Sequence, residues 1–291
     1  MPLIILASPK GGVGKTTLTA NLAEQLRRQG RDVLLVDLDP QNALRLHFGV
    51  PIQDGSGFMA ERQHRPDWRQ HLRRTASGVL LLPHGAMELR AALDLAIALD
   101  RDPALLATPL REMLADPGLL VLADLPPGPS QVLQVAAPLA SVIVTVLQSE
   151  AISAAMLGEV ESGRFLGGGT LGALSASRLH YVLNSVDFGS PLSRASAEAV
   201  ARHLGPKLLG AVSRDEALGE ALAHQRPLLD LSPAGAAAQD LRQIAAGLDA
   251  LVPASPSFPA PQPVPAPVAH AFHPPATPPL PAAAYPLRRA W

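Results

Sequence analysis

An apolar run, "LIILAS" at residues 3–8, leads through Pro9 into "KGGVGKTT" at 10–17 and then into "LTANLAEQLRR". Few chain paths accommodate that order. A buried strand, a turn with three glycines in four positions and an amphipathic helix follow one another with no spacer. Gly11, Gly12 and Gly14 lack a Cβ, so neighbouring backbone N–H groups can converge on one point, where the helix adds the positive end of its dipole. Such a loop is built for phosphate. Lys15 can neutralise the β and γ phosphates of a nucleotide, and Thr16 can offer its hydroxyl to Mg2+. The common pattern G-x-x-x-x-G-K-[ST] does not fit, because Pro9 occupies the first glycine position. A second lysine, Lys10, stands instead at the head of the loop.

Six further β-rich runs alternate with amphipathic stretches. The expected strands are 3–8, 32–37, 78–83, 119–124, 141–147, 179–184 and 207–212, and the expected helices 16–29, 86–98, 103–115, 191–204, 215–224 and 235–251. Nearly continuous apolar strands between helices predict an α/β fold, a doubly wound, mainly parallel sheet with helices on both faces. Beyond residue 252 the composition changes to proline and alanine without a single Asp or Glu. The expected division is a nucleotide-binding domain over 1–252 and a disordered, partly polyproline II tail over 253–291. The tail's end, "YPLRRAW", reads as a docking peptide or as an inert terminus.

Net charge is −1 and cysteine is absent, so no global basic field holds nucleic acid and no thiolate binds metal. The longest apolar run, 132–148, is broken by Pro138 and reads as a helix end and a buried strand rather than a membrane span. With no charged segment ahead of the first apolar run, a secretory signal is not expected and the location is expected to be cytoplasmic. Arginines cluster at 62–74, "RQHRPDWRQHLRR", as a solvated helix face or a DNA-binding patch. The nine histidines show no metal-ligand spacing and are expected mostly at the surface or in loops. The glycine-rich stretch 163–178 reads as a flexible connection.

Three aspartates lie at the carboxyl ends of expected strands: Asp37 and Asp39 in "VLLVDLDPQ", and Asp124 in "LLVLADLPPG". Open α/β sheets bind ligands there. Each alone could be a strand cap; together with the loop they mark a nucleotide site, with Asp124 placed to hold Mg2+ through water. At this point residues 1–250 resemble the deviant Walker A ATPases of the ParA/MinD class, whose motif is KGGVGKTT. The resemblance implies ATP and Mg2+ as cofactors and a homodimer with ATP sandwiched between its subunits. It makes Lys10 a catalytic residue that reaches the partner's phosphates, alongside Lys15. Asp39 would position or activate the attacking water, and Thr16, Asp37 and Asp124 would hold the metal. Gly11, Gly12, Val13, Gly14, Lys15, Thr16 and Thr17 would bind the phosphates. Asn184 would contact adenine, or be a strand-end turn residue. Arg214, in the segment 213–233, would lie on the nucleotide side, although Ser213 replaces the proline usual in the class.

More specific stretches are similar to the BcsQ family of cellulose-biosynthesis proteins: "DPQNALRLHFGV" at 39–50, "DWRQHLRRTASGVLLLPHG" at 67–85 and "SRDEALGEALAHQRPLL" at 213–229. That resemblance implies an ATP-gated factor that assembles, localises or regulates the cellulose synthase complex. It would act at the cytoplasmic face of the inner membrane, without inserting into the bilayer and without nucleic acid as partner. A ParA-type partitioning ATPase and a nucleotide-binding scaffold with little turnover are the alternatives.

Overall fold

The structure is a computed structural model, which describes residues 2–65, 67–149, 158 and 175–253. The expected tail and most of the glycine-rich stretch 163–178 lie outside them. Eight strands form one sheet: β1 (Leu3–Ala7), β2 (Asp32–Asp37), β3 (Arg73–Arg74), β4 (Leu80–Leu82), β5 (Leu119–Asp124), β6 (Val142–Gln148), β7 (Leu179–Val186) and β8 (Leu208–Ser213). Their order is β3-β4-β2-β5-β1-β6-β7-β8. All neighbours are parallel except β3, which runs antiparallel to β4 along the edge. The seven expected strands are all present. Edge strand β3 was not legible because two consecutive arginines carry no strand signal.

Strand alternation sorts the core into two layers. Leu3, Ile5 and Ala7 of β1, with Leu34, Val36, Val121 and Ala123, face one side. There they pack on α2 (Leu89–Arg101), α3 (Ala104–Leu114), α4 (Gln131–Ala136) and α5 (Pro191–Leu204). Ile4, Leu6, Val33, Leu35, Leu120 and Leu122 face the other side, against α1 (Lys15–Arg28) and α8 (Ala236–Leu251). Two short helices, α6 (Ala217–Ala223) and α7 (Leu228–Leu231), complete that second layer. Because both faces are covered, the strands read as unbroken apolar runs rather than alternating ones. Each fully buried leucine stabilises the fold by roughly 2 kcal/mol relative to exposure.

The sequence reading of 62–74 needs correction. This segment forms two 3-10 turns, Arg62–His64 and Trp68–His71, before β3. It is not a solvated amphipathic helix: Arg62, Trp68 and His71 are buried, and the Arg62 and Arg69 guanidiniums lie over the rings of Phe58 and Trp68. Among the seven described histidines, His47, His71 and His84 are buried, His180 is half-buried, and His64, His203 and His224 are exposed. Among the described residues no helix is long and apolar enough to cross a membrane.

His47 makes one of these burials measurable. It sits in the 3-10 turn Leu44–Phe48 against α1 and α6. Burial alone pulls its imidazole from 6.5 down to about 4. Between those values the unfolded chain binds a proton that the folded chain does not. The contribution to stability is therefore fully present above pH 6.5 and is lost as pH falls toward 4, by about 3 kcal/mol in all. In urea unfolding at pH 7 and pH 4.5, the native protein should lose about 2–3 kcal/mol more between the two conditions than His47→Gln does. Equal losses would show that His47 is not buried neutral.

Candidate nucleotide-binding site

β1 lies at the centre of the sheet, between β5 and β6, so its carboxyl end opens where the chain direction across the sheet reverses. The loop from Pro9 to Gly14 emerges there. Gly12 and Gly14 have φ of 76° and 80°, the left-handed region that an L side chain rarely adopts. No side chain caps the first turn of α1, so its N–H groups are left to face a hollow of about 430 Å3. Residues 11–17, Asp39, Gln41 and Pro127 bound that hollow.

The loop is braced from below. Asn184, near the end of β7, donates its Nδ2 to the Val13 carbonyl at 2.8 Å, and Gln148 of β6 donates to the Gly12 carbonyl at 3.3 Å. A Cβ on Gly14 would stand 2.2 Å from Asn184 Nδ2. The glycine is required twice, by its backbone angle and by that close approach.

Beside the loop, Lys15 Nζ is buried and lies 2.7 Å from Asp124 Oδ1 and 3.5 Å from Asp39 Oδ2. Thr16 Oγ1 donates to Asp124 Oδ2 at 2.7 Å, and Thr19 Oγ1 to Asp124 Oδ1 at 3.1 Å. Asp37 and Asp124 are register partners on adjacent strands and both fully buried. Burial first, then the charge of Asp124, pushes Asp37 well above the usual carboxylate range. Burial also raises Asp124, against the opposing pull of Lys15 and its hydrogen bonds. Asp37 uses both oxygens on backbone donors, Asp39 N at 3.0 Å and Leu44 N at 3.3 Å. Asp39 in turn accepts from Gln41 N at 3.0 Å, which closes the turn after Pro40.

A second hollow, of about 470 Å3, opens beside the loop between β6, β7 and the start of α5. Gln148, Ser185, Asp187 and Arg214 line it. Arg214 is largely exposed and 3.9 Å from Asp187. Ser213 ties the end of β8 to α8 by donating to Asp240 at 2.7 Å.

The structure thus brings residues 11–17, Asp37, Asp39, Asp124 and Asn184 together, with Lys10 half-buried at the head of the loop and Arg214 at the outer rim. Two contributors escaped the sequence reading. Thr19 lies one helical turn beyond Thr16 on the same face, a spacing that could have flagged it. Gln148 carried no signal of its own.

A family model described as cellulose biosynthesis protein BcsQ matches residues 1–247. The chain belongs to the BcsQ family. This BcsQ-family chain is also 33% identical over 249 residues to Soj, a chromosome-partitioning ATPase of Thermus thermophilus, covering 83% of this chain and 93% of Soj. It is 39% identical to BcsQ of Escherichia coli K12 over 89 residues, 31% of this chain and 36% of that one. MinD, a cell division ATPase of Pyrococcus furiosus, has the same fold, with a TM-score of 0.68 at 25% identity over 86% of this chain and 99% of MinD. The BcsQ-family chain is therefore a MinD/ParA-type member of the P-loop ATPases.

Proposed function

We propose that this chain is an ATP-dependent, dimerising ATPase that assembles, localises or regulates the bacterial cellulose synthase complex at the cytoplasmic face of the inner membrane. The observation that carries this reading is the BcsQ family match across the whole nucleotide-binding fold, residues 1–247.

The residues present fit Mg2+ and ATP. Left-handed glycines cradle a hollow beside a buried lysine, and Thr16 shares Asp124 with it. Among the described residues no group of three or more acidic or histidine side chains forms a metal cage. This suits Mg2+, which keeps waters and phosphate oxygens in its shell. When bound, MgATP supplies the phosphoryl group to be transferred and the cation that draws charge from it. Gly11, Gly12, Val13, Gly14 and Thr17 would hold the phosphates, and Lys15 would exchange its carboxylates for them. Thr16 and Asp124 would hold the metal with Asp37 behind them. Asp39 would orient the attacking water. Lys10 would reach the phosphates of a second copy, Asn184 would contact adenine, and Arg214, which lines the second hollow, would lie on the nucleotide side.

The deciding experiment replaces Lys15 by Ala in the native host, with protein abundance checked. Cellulose output should fall at least about tenfold if the nucleotide switch serves the synthase. Unchanged cellulose with faulty plasmid or chromosome inheritance would reject this reading. It would favour a partitioning ATPase instead, the second reading, which the 33% identity to Soj supports. Salt-sensitive, ATP-dependent binding to duplex DNA would be its signature.

A further inference from the structure

Between β2 and β3, over residues 38–72, none of the described residues lies in a strand or an α-helix, and Arg45 is buried in this stretch. Its guanidinium donates to backbone carbonyls: Nε to Asn42 at 3.1 Å, Nη1 to Pro51 at 3.2 Å and to Asp54, and Nη2 to Ile52 at 3.2 Å. A buried cation held by carbonyl dipoles is a demanding arrangement, and what it achieves is to fasten residue 42 to the segment 51–54.

Asn42 is the residue that needs fastening. It has φ of 48°, and its buried side-chain amide has no protein partner. Backbone of this kind persists only where the surroundings over-determine it. On the opposite side of the same turn, Asp37 accepts from the N–H groups of Asp39 and Leu44. The turn 39–44 is thus clamped from both ends, and it carries Asp39 at the wall of the phosphate hollow.

We propose that Arg45 is a positioning residue: it fixes the turn 39–44 and through it the place of Asp39. This rests on the role given to Asp39 in the proposed ATPase.

The test compares the full-length protein with Arg45→Lys, which keeps the charge and loses the planar fork. Without nucleotide, amide hydrogen exchange over residues 38–44 should quicken about tenfold while the melting temperature of the whole chain shifts little. With ATP, kcat should fall about tenfold with KM within about twofold, and in an Asp39→Asn background the same change should alter kcat less than about twofold. Unaltered exchange, or effects on kcat that add, would overturn the proposal. If the native protein shows no ATP turnover, the proposed function fails and the exchange measurement still judges Arg45. Asp54→Ala is the second variant should Arg45→Lys not fold. The half-buried Asp54 carboxylate holds Ser56 at 2.6 Å and Arg73 at 3.3 Å, steadying the carbonyls that Arg45 grips. Exchange over 38–44 should then rise about threefold, and no change would again overturn the proposal.

Discussion

Gly14→Ala is expected to leave a folded protein that has lost about 100-fold or more in nucleotide affinity. Two penalties combine. An alanine at φ of 80° pays roughly 1–2 kcal/mol for the left-handed conformation. Its Cβ would also stand 2.2 Å from Asn184 Nδ2. The amide must then leave the Val13 carbonyl, and an orphaned buried acceptor costs about 1–3 kcal/mol. The melting temperature should drop by roughly 5–15 °C, since 1 kcal/mol is about 2–4 °C at this size. Gly12→Ala is the internal control. Its φ of 76° is equally left-handed, yet nothing lies within 4 Å of the added Cβ, so only the first penalty applies. Isothermal titration with ATP and Mg2+, beside thermal melts of both variants, would check the difference. Equal behaviour of the two would mean that Asn184 does not brace the loop.

Lys10→Ala should abolish ATP-dependent dimerisation while nucleotide affinity stays within about threefold, because Lys15 and the glycine cradle remain. Light scattering with and without ATP would read the first quantity and titration the second. Complementation then separates a lysine that acts across the interface from one that acts within its own subunit. In a mixture of Lys10→Ala and Asp39→Asn chains, a mixed dimer holds one site with an intact Asp39 and a partner's intact Lys10. If the lysine crosses, the equimolar mixture recovers activity that neither variant has alone, up to roughly a quarter of the native rate, the limit set by random pairing. If it does not cross, every site lacks one group and the mixture stays inactive. A Lys10→Ala chain that dimerises normally with ATP would instead favour the scaffold.

What was legible in the sequence follows from how far apart the interacting residues are. β1, the glycine loop and α1 are contiguous, so their order revealed both the fold class and the phosphate site. Buried parallel strands announce themselves as apolar runs, and all seven expected ones formed. The irregular connection 42–72 was opaque for the opposite reason. Its order comes from Arg45 reaching carbonyls six to nine residues away and from Phe58 N and Ala60 N pairing with the Pro83 and His84 carbonyls, each at 2.9 Å. Backbone carbonyls have no residue signature. The bond from Asn184 to Val13 spans 171 positions. From sequence Asn184 reads as an adenine contact or a strand-end turn residue, and its place beneath the loop needed the folded sheet.

The two margins of the sheet carry a consequence for self-association. On one side the last strand, β3, is two residues long and consists of Arg73 and Arg74. On the other, β8 pairs with β7 through register shifts, and Gly210 is pressed against Ile244. Neither margin offers a flat, neutral ribbon onto which another chain could add a strand. Growth by edge-to-edge stacking is discouraged at both ends, which leaves helical faces and loops as the surfaces through which copies of this chain could meet. A contact built from loops exists only while the loops keep one shape, and that shape is something a small ligand can grant and withdraw.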